Sequence, residues 1–216
     1  AHCFWTDVGK LQPAENYAVA VGKIYRPWND PNDKHAQKSD VNEIRVPPRF
    51  QGASTNFQED IAILRLTQAF EYKTYVRPVC LNFDPNFDST QLQSGKLGKV
   101  AGWGLTGENG PASQVLKVVE LPYVDIEECL NRVPLSFREF ISSDKICAGY
   151  GNGTALCKGD SGGGLVFPNK DRGIERFYLR GLVSTAPKNE NDCNAFTLTS
   201  FTHVIKHEIF IQKYAQ

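Results

Sequence analysis

Residues 157–166 read CKGDSGGGLV, and no other stretch limits the chain so tightly. Four glycines in ten residues, with one aspartate and one serine among them, dictate a turn, because glycine accepts backbone conformations that other residues resist. A serine on such a turn stands clear of its neighbours, while nearby N–H groups can aim at a substrate carbonyl. Ser161 is therefore a candidate nucleophile. A hydroxyl is a weak nucleophile at neutral pH, so the chemistry requires a general base, normally histidine, and a third group to orient that base. His2, in AHC, and Asp60, the acid that precedes the alternating apolar run of DIAILRL, are the candidates. The chain order is His, Asp, Ser.

A length of 216 residues with 41% hydrophobic and 22% charged residues describes a folded globule, enough chain for one large domain or two small ones. The formal net charge is zero and lysine and arginine form no run, which leaves no electrostatic footprint for a nucleic acid or a membrane surface. No apolar stretch approaches the length of a membrane span. Six cysteines, none in a C-x-x-C spacing, point to disulfides and an extracellular, oxidising compartment.

Residues 17–25 (YAVAVGKIY) alternate like a half-buried strand. Residues 26–42 break the pattern with proline, asparagine, aspartate and lysine and read as a surface loop. Its region is acidic at Asp30, Asp33, Asp40 and Glu43, but the spacing matches no established cation loop, so a solvated loop without metal is expected. Residues 43–50 and 61–66 read as further strands, 72–96 as an aperiodic linker, and 99–103, 114–123 and 177–184 as strands again. Asp125 and Glu128 form a capping box for a short helix toward Arg132. Phe201, Ile205 and Ile209 recur every four residues, the pattern of an amphipathic terminal helix. His35, His203 and His207 are expected to face solvent.

The words AHC, DIAIL and GDSGG in this order, with RPVCL (77–81), AGWG (101–104) and ICAGY (146–150), resemble the chymotrypsin-like serine proteases over nearly the whole chain. The resemblance implies an all-β fold: two antiparallel Greek-key barrels and a C-terminal helix, the first barrel incomplete at its N-terminus. Residues 1–83 would form that first barrel with His2 and Asp60, a linker would run to about 96, and 97–216 would form the second barrel with Ser161. In this layout His2 shuttles the proton, Asp60 orients His2, and the N–H groups of Gly159 and Ser161 bind the oxyanion. Asp160 would be a zymogen switch, neutralised by a new terminal amine after activation cleavage.

The same resemblance implies disulfides Cys129–Cys147 and Cys157–Cys193, an inter-segment disulfide from Cys80 to an upstream regulatory segment, and a partner for Cys3 in a preceding stretch, so the chain is expected to be a fragment. A further family bridge is missing at both ends, with Gly98 and Phe167 in its places. The specificity pocket would be built from Ala155, Leu156, Ser184, Thr185 and Ala186. Ala155 stands where trypsin-like relatives carry aspartate, which implies cleavage after a medium-sized apolar residue. Asn152-Gly153-Thr154 is a glycosylation sequon. No cofactor is implied. The chain is most similar to catalytic domains of arthropod haemolymph modular serine proteases, which implies a secreted, zymogen-derived enzyme of innate-immunity cascades whose protein substrate is another zymogen. Two other readings remain open: a protease-like binding or cofactor module without activity, and a digestive enzyme of chymotrypsin or elastase type.

Overall fold

The computed structural model describes residues 1–107, 109–153, 155–187, 193 and 197–215. Three strands, β1 (Ala18–Val21), β2 (Gln37–Arg45) and β3 (Ile63–Leu66), form an antiparallel sheet in the order β1-β2-β3. β2 starts inside the stretch expected to be loop. Its composition is polar, but Ser39 and Val41 alternate inward, and Ser39 Oγ satisfies itself on the Asp40 carbonyl and Thr67. In a strand the period of two decides burial even where polarity suggests a loop.

Six strands close a second unit: β4 (Leu97–Gly102), β5 (Lys117–Val124), β6 (Lys145–Ala148), β7 (Gly164–Asp171), β8 (Ile174–Thr185) and β9 (Thr199–His203), in the barrel order β4-β5-β6-β9-β8-β7. All neighbouring pairs are antiparallel. Val100, Leu121, Ile146, Leu165, Phe167 and Phe201 fill the barrel. Each large side chain buried this way contributes about 1.5–3 kcal/mol. The fold is thus mostly β, one closed barrel plus a second sheet with a short C-terminal helix, as the resemblance implies.

Sequence periodicity misses β6, β7 and β9: β6 and β9 are buried on both faces and so do not alternate, while β7 opens on the glycine-rich turn and carries Pro168. β9 reads TSFTH, and its hydroxyls are tolerable inside only because they are bonded, Ser200 to Thr185 at 2.6 Å and Thr202 to the Asp60 carbonyl at 2.9 Å. Gly98 on β4 and Phe167 on β7 do face each other. A Cβ at Gly98 would lie 2.8 Å from the Phe167 ring and 2.7 Å from Leu165, so an aromatic ring fills the space of the missing bridge.

The stretch 72–96 contains a helix, α1 (Pro85–Gln91), that its lack of periodicity concealed. Asp84 caps it through the N–H groups of Asn86 and Phe87, with proline in the first turn. Buried Arg180 of β8 holds it, donating to Gln91 Oε1 and the Asn82 carbonyl at 2.6 Å and pairing with Asp88 at 3.1 Å. Asp125 caps α2 (Ile126–Arg132) as expected, but Glu128 reaches forward to Arg132 at 3.1 Å, where the capping box had it reaching back.

The chain end also differs from expectation. Phe201 lies in β9, a 3-10 turn (Val204–His207) follows, and only then comes α3 (Glu208–Tyr214). Ile209 is 84% exposed, while Val204 and Ile211 pack inward against Ile61. The histidines nearby are not solvent-facing: His203 pairs with Asp88 at 2.9 Å, and buried His207 lies 3.3 Å from Asp144. His35 stacks on Tyr75. Two disulfides form, Cys129–Cys147 between α2 and β6, and Cys157–Cys193 beside the Ser161 turn. Cys3 and Cys80 are free thiols.

Candidate active site

His2 stands on a 3-10 turn (His2–Phe4) that aromatic side chains hold in place. Phe4 packs edge-on against Tyr17, Trp5 packs edge-on against fully buried Phe50, and the Tyr17 hydroxyl donates to the Cys3 carbonyl at 3.2 Å. Asp60 lies just before β3, at the end of a loop with three left-handed, non-glycine residues: Asn56, Phe57 and Glu59, with φ of 51°, 54° and 56°. Each such residue costs about 1–2 kcal/mol, so external contacts must fix the loop. Arg49 Nε donates to Glu59 at 2.7 Å, and the Glu59 N–H donates to Asp144 at 2.8 Å.

The Asp60 carboxylate is saturated. Oδ1 accepts from the Ala1 nitrogen at 2.7 Å and the His2 N–H at 2.8 Å; Oδ2 accepts from His2 Nδ1 at 2.7 Å and Ser184 Oγ at 2.7 Å. Burial opposes its charge, but the hydrogen bond and positive charge from His2 prevail and hold the carboxyl far below the usual carboxylate range. His2 responds in the opposite sense. Burial pulls its pKa down, yet the hydrogen bonds to Asp60 and Cys3, and their charge, raise it to about 9. With Nδ1 engaged by Asp60, Nε2 is the ring nitrogen that remains for proton exchange.

Ser161 is exposed on a turn tied down at both ends. The Asp160 N–H donates to the Cys157 carbonyl at 3.1 Å, the Gly162 N–H to Val183 at 3.0 Å, and the Gly163 N–H to Asp160 at 3.0 Å. Gly159, with φ of 100°, takes a conformation that a side chain would oppose. Among the described residues, the N–H groups of Gly159 and Ser161 have no acceptor, and no hydrogen bond joins His2 to Ser161. The Cys3 thiol lies beside His2, its sulfur 3.9 Å from the Ser161 carbonyl, and the His2 hydrogen bond lowers the thiol's pKa against the effect of burial.

The Asp160 side chain accepts from the Gly104 N–H at 2.9 Å and the Cys157 N–H at 3.0 Å. It opens on a cavity of about 370 Å³ whose walls include Ala155, Leu156, Gly102 and Gly104. Ser184, Thr185 and Ala186 do not line that cavity. Ser184 turns its hydroxyl to Asp60, Thr185 bonds Ser200, and Leu156 is drawn into the barrel core. The five residues named for the pocket are thus not gathered on one cavity among the described residues. Asn152 is exposed, while Thr154 of its sequon lies outside the described residues. In the acidic loop Asp33 is taken up by Lys23 at 2.5 Å and by the Ile24 and Tyr25 N–H groups. Among the described residues no cluster of three metal-ligating side chains occurs, and no helix is long and apolar enough to cross a membrane.

Sequence reasoning missed Lys145 and Thr202, which touch the Asp60 loop from the barrel side. The signal for Lys145 is a single charge opening the otherwise apolar strand KICA. A histidine bonded to a buried aspartate, beside a serine on a glycine-rich turn and two antiparallel β units, is the layout of a serine-protease domain. The family model described as Trypsin matches residues 1–206, and the chain belongs to that family. It is 32% identical over 191 residues to "Clotting factor C" of Tachypleus tridentatus, covering 85% of this chain and 18% of that protein. It is 27% identical over 217 residues to "Modular serine protease" of Drosophila melanogaster, covering 98% and 32%. Identity to "Melanization protease 1" of Drosophila melanogaster is 36% over 183 residues, covering 83% and 44%. The chain therefore spans less than half the length of these relatives.

Proposed function

We propose that this chain is the catalytic domain of a secreted serine endopeptidase that forms an acyl-enzyme through Ser161. The observation that carries the reading is the His2–Asp60 bond at 2.7 Å, with both partners held from several elements, next to a serine turn with two unengaged N–H groups. His2 Nε2 would take the Ser161 proton and return it to the leaving amine, Asp60 would keep Nδ1 protonated and stabilise the imidazolium, and the Gly159 and Ser161 N–H groups would bind the oxyanion.

The zymogen reading draws support from Asp160, whose carboxylate faces a cavity and has backbone N–H groups but no cationic partner among the described residues. A terminal amine entering that cavity would supply the charge, and the turn could then draw Ser161 into bonding distance of His2. Ala155 offers no carboxylate to an arginine or lysine side chain, which supports cleavage after an uncharged, medium-sized apolar residue. Cys80 is a free thiol held against β8, its N–H on Phe177 and its carbonyl accepting from Leu179, a fixed anchor for an upstream segment. The names of the relatives, clotting and melanization proteases, favour a cascade in which the substrate is another zymogen and disfavour digestion.

The His2–Asp60 pair beside Ser161 fits the enzyme reading and would also survive in a protease-like binding module. Two assays separate them: activation cleavage of the full-length protein followed by a peptide panel varied at the residue before the scissile bond. The enzyme reading expects turnover with leucine preferred over arginine. Arginine as the best residue would refute the specificity, and no turnover from a folded, cleaved protein would favour the binding module.

A further inference from the structure

Lys145 opens β6 with its side chain directed into the protein, and the residue is only 4% exposed. A lysine ammonium carries three donors and no acceptor, and here three acceptors meet it: the Phe57 carbonyl at 2.6 Å, Ser184 Oγ at 3.0 Å and Thr202 Oγ1 at 3.3 Å. Burying such a group is costly unless it is both bonded and paired with charge. All three acceptors lead to one place. Ser184 donates its own proton to Asp60 Oδ2 at 2.7 Å, Thr202 donates to the Asp60 carbonyl at 2.9 Å, and Phe57 lies three residues before Asp60 in the left-handed loop.

Resting on the serine-protease reading above, we propose that Lys145 is a positioning residue for the catalytic pair. Its buried ammonium fixes the direction of two hydroxyls so that both donate to Asp60, and it clamps the loop on which Asp60 sits. The logic lies in the donors. A serine or threonine hydroxyl can turn either way, but one that receives a lysine proton must send its own elsewhere, and for both hydroxyls the remaining acceptor is Asp60. The result is a one-way line of hydrogen bonds from Lys145 through Ser184 to Asp60 Oδ2, the oxygen that also receives His2 Nδ1.

The charge of Lys145 acts along the same line. Asp60 and Asp144 face it as carboxylates, and His2 lies beyond Asp60. His207 and Glu59 bear on Asp144, through the imidazole contact at 3.3 Å and the backbone N–H at 2.8 Å. Burial lowers the Lys145 pKa, and the charges of Asp144 and Asp60 offset part of that effect in favour of the ammonium. A cation behind Asp60 lowers the basicity of His2, since it disfavours the imidazolium. Lys145 therefore offsets part of the rise that Asp60 imposes on His2, and keeps the base nearer the pH at which it must accept a proton.

The test is Lys145→Met, which keeps the volume and removes the charge and donors, made in full-length, activation-cleaved protein and read against active sites titrated with a fluorophosphonate. The acid limb of kcat/KM for a peptide substrate should move up by about half a unit or more. In parallel kcat should fall about tenfold or more while KM stays within about twofold. A role in stability alone would lower Tm but leave the acid limb and the per-site kcat unchanged, and that result overturns the proposal. Should Lys145→Met fail to fold, 15N-lysine NMR of the unmodified protein decides: an exchange-protected Lys145 ammonium at pH 7 supports the proposal, and a neutral amine overturns it. Wild-type protein that neither labels nor turns over peptide would remove the protease reading and this inference together, whereas an active wild type with an unaltered Lys145→Met variant would remove the inference alone.

Discussion

Replacing Asp60 by asparagine keeps the shape of the side chain and removes the charge that governs His2. In the native arrangement the His2 pKa stands at about 9 against an ordinary 6.5. That interval corresponds to about 3 kcal/mol of preference for the imidazolium, supplied by Asp60 and Cys3 against the opposing effect of burial. With Asp60→Asn burial loses its main opponent, so the His2 pKa should fall by about two units or more. The assay is an NMR titration of the imidazole C–H signals from pH 5 to 10, with His2 assigned by the signal that a His2→Gln variant loses. Stability should follow with a definite sign. Because the folded value of His2 is raised, its contribution is complete below about pH 6.5 and is lost as pH rises through about 9. Because the Asp60 value is depressed, the contribution of Asp60 is present above about pH 4 and disappears on acidification. The stability gap between wild type and Asp60→Asn is therefore widest between about pH 4 and 6.5 and narrows toward pH 9. A wild-type His2 titrating at its ordinary value, or one indifferent to Asp60→Asn, would refute the reasoning.

Gly98→Ala should destabilise the fold by about 1–3 kcal/mol in urea unfolding, since its Cβ would sit 2.7–2.9 Å from Leu165 and Phe167; an unchanged midpoint would mean that the β4–β7 contact is slack. Replacing both Cys129 and Cys147 by alanine opens a loop with a sequence separation of 18 residues and should cost about 3 kcal/mol, visible as a lower Tm, and Phe137 and Phe140 beside it should gain hydrogen-exchange access at their amides. In a peptide panel the activated protein should prefer leucine over arginine by about tenfold or more.

The residues of the site were legible one by one because each sits in a short, distinctive word. The glycines around Ser161 and the apolar alternation after Asp60 are short-range patterns, and the structure brings His2 and Asp60 into contact and pairs four cysteines as the family resemblance implied. What the sequence concealed is long-range or buried on both faces. β6 and β9 do not alternate because neither face meets water, and hydroxyls in β9 read as polar until their bonds to Asp60 and Thr185 are seen. The four-residue spacing of Phe201, Ile205 and Ile209 suggested one helix, yet a strand, a 3-10 turn and a helix divide it, because Phe201 is consumed by the barrel core. His203 and His207 looked solvent-facing because their partners, Asp88 and Asp144, lie about sixty or more residues away. Lys145 is legible only as an oddity in an apolar strand; its meaning depends on Ser184 and Thr202, which no spacing rule connects to it.

Whether Ser161 is a nucleophile served by His2 and Asp60 is decided by a fluorophosphonate serine probe on the full-length, activation-cleaved protein beside its Ser161→Ala variant. The wild type should label and the variant should not. Equal labelling of both, or none of a folded and fully cleaved wild type, would contradict that role of Ser161.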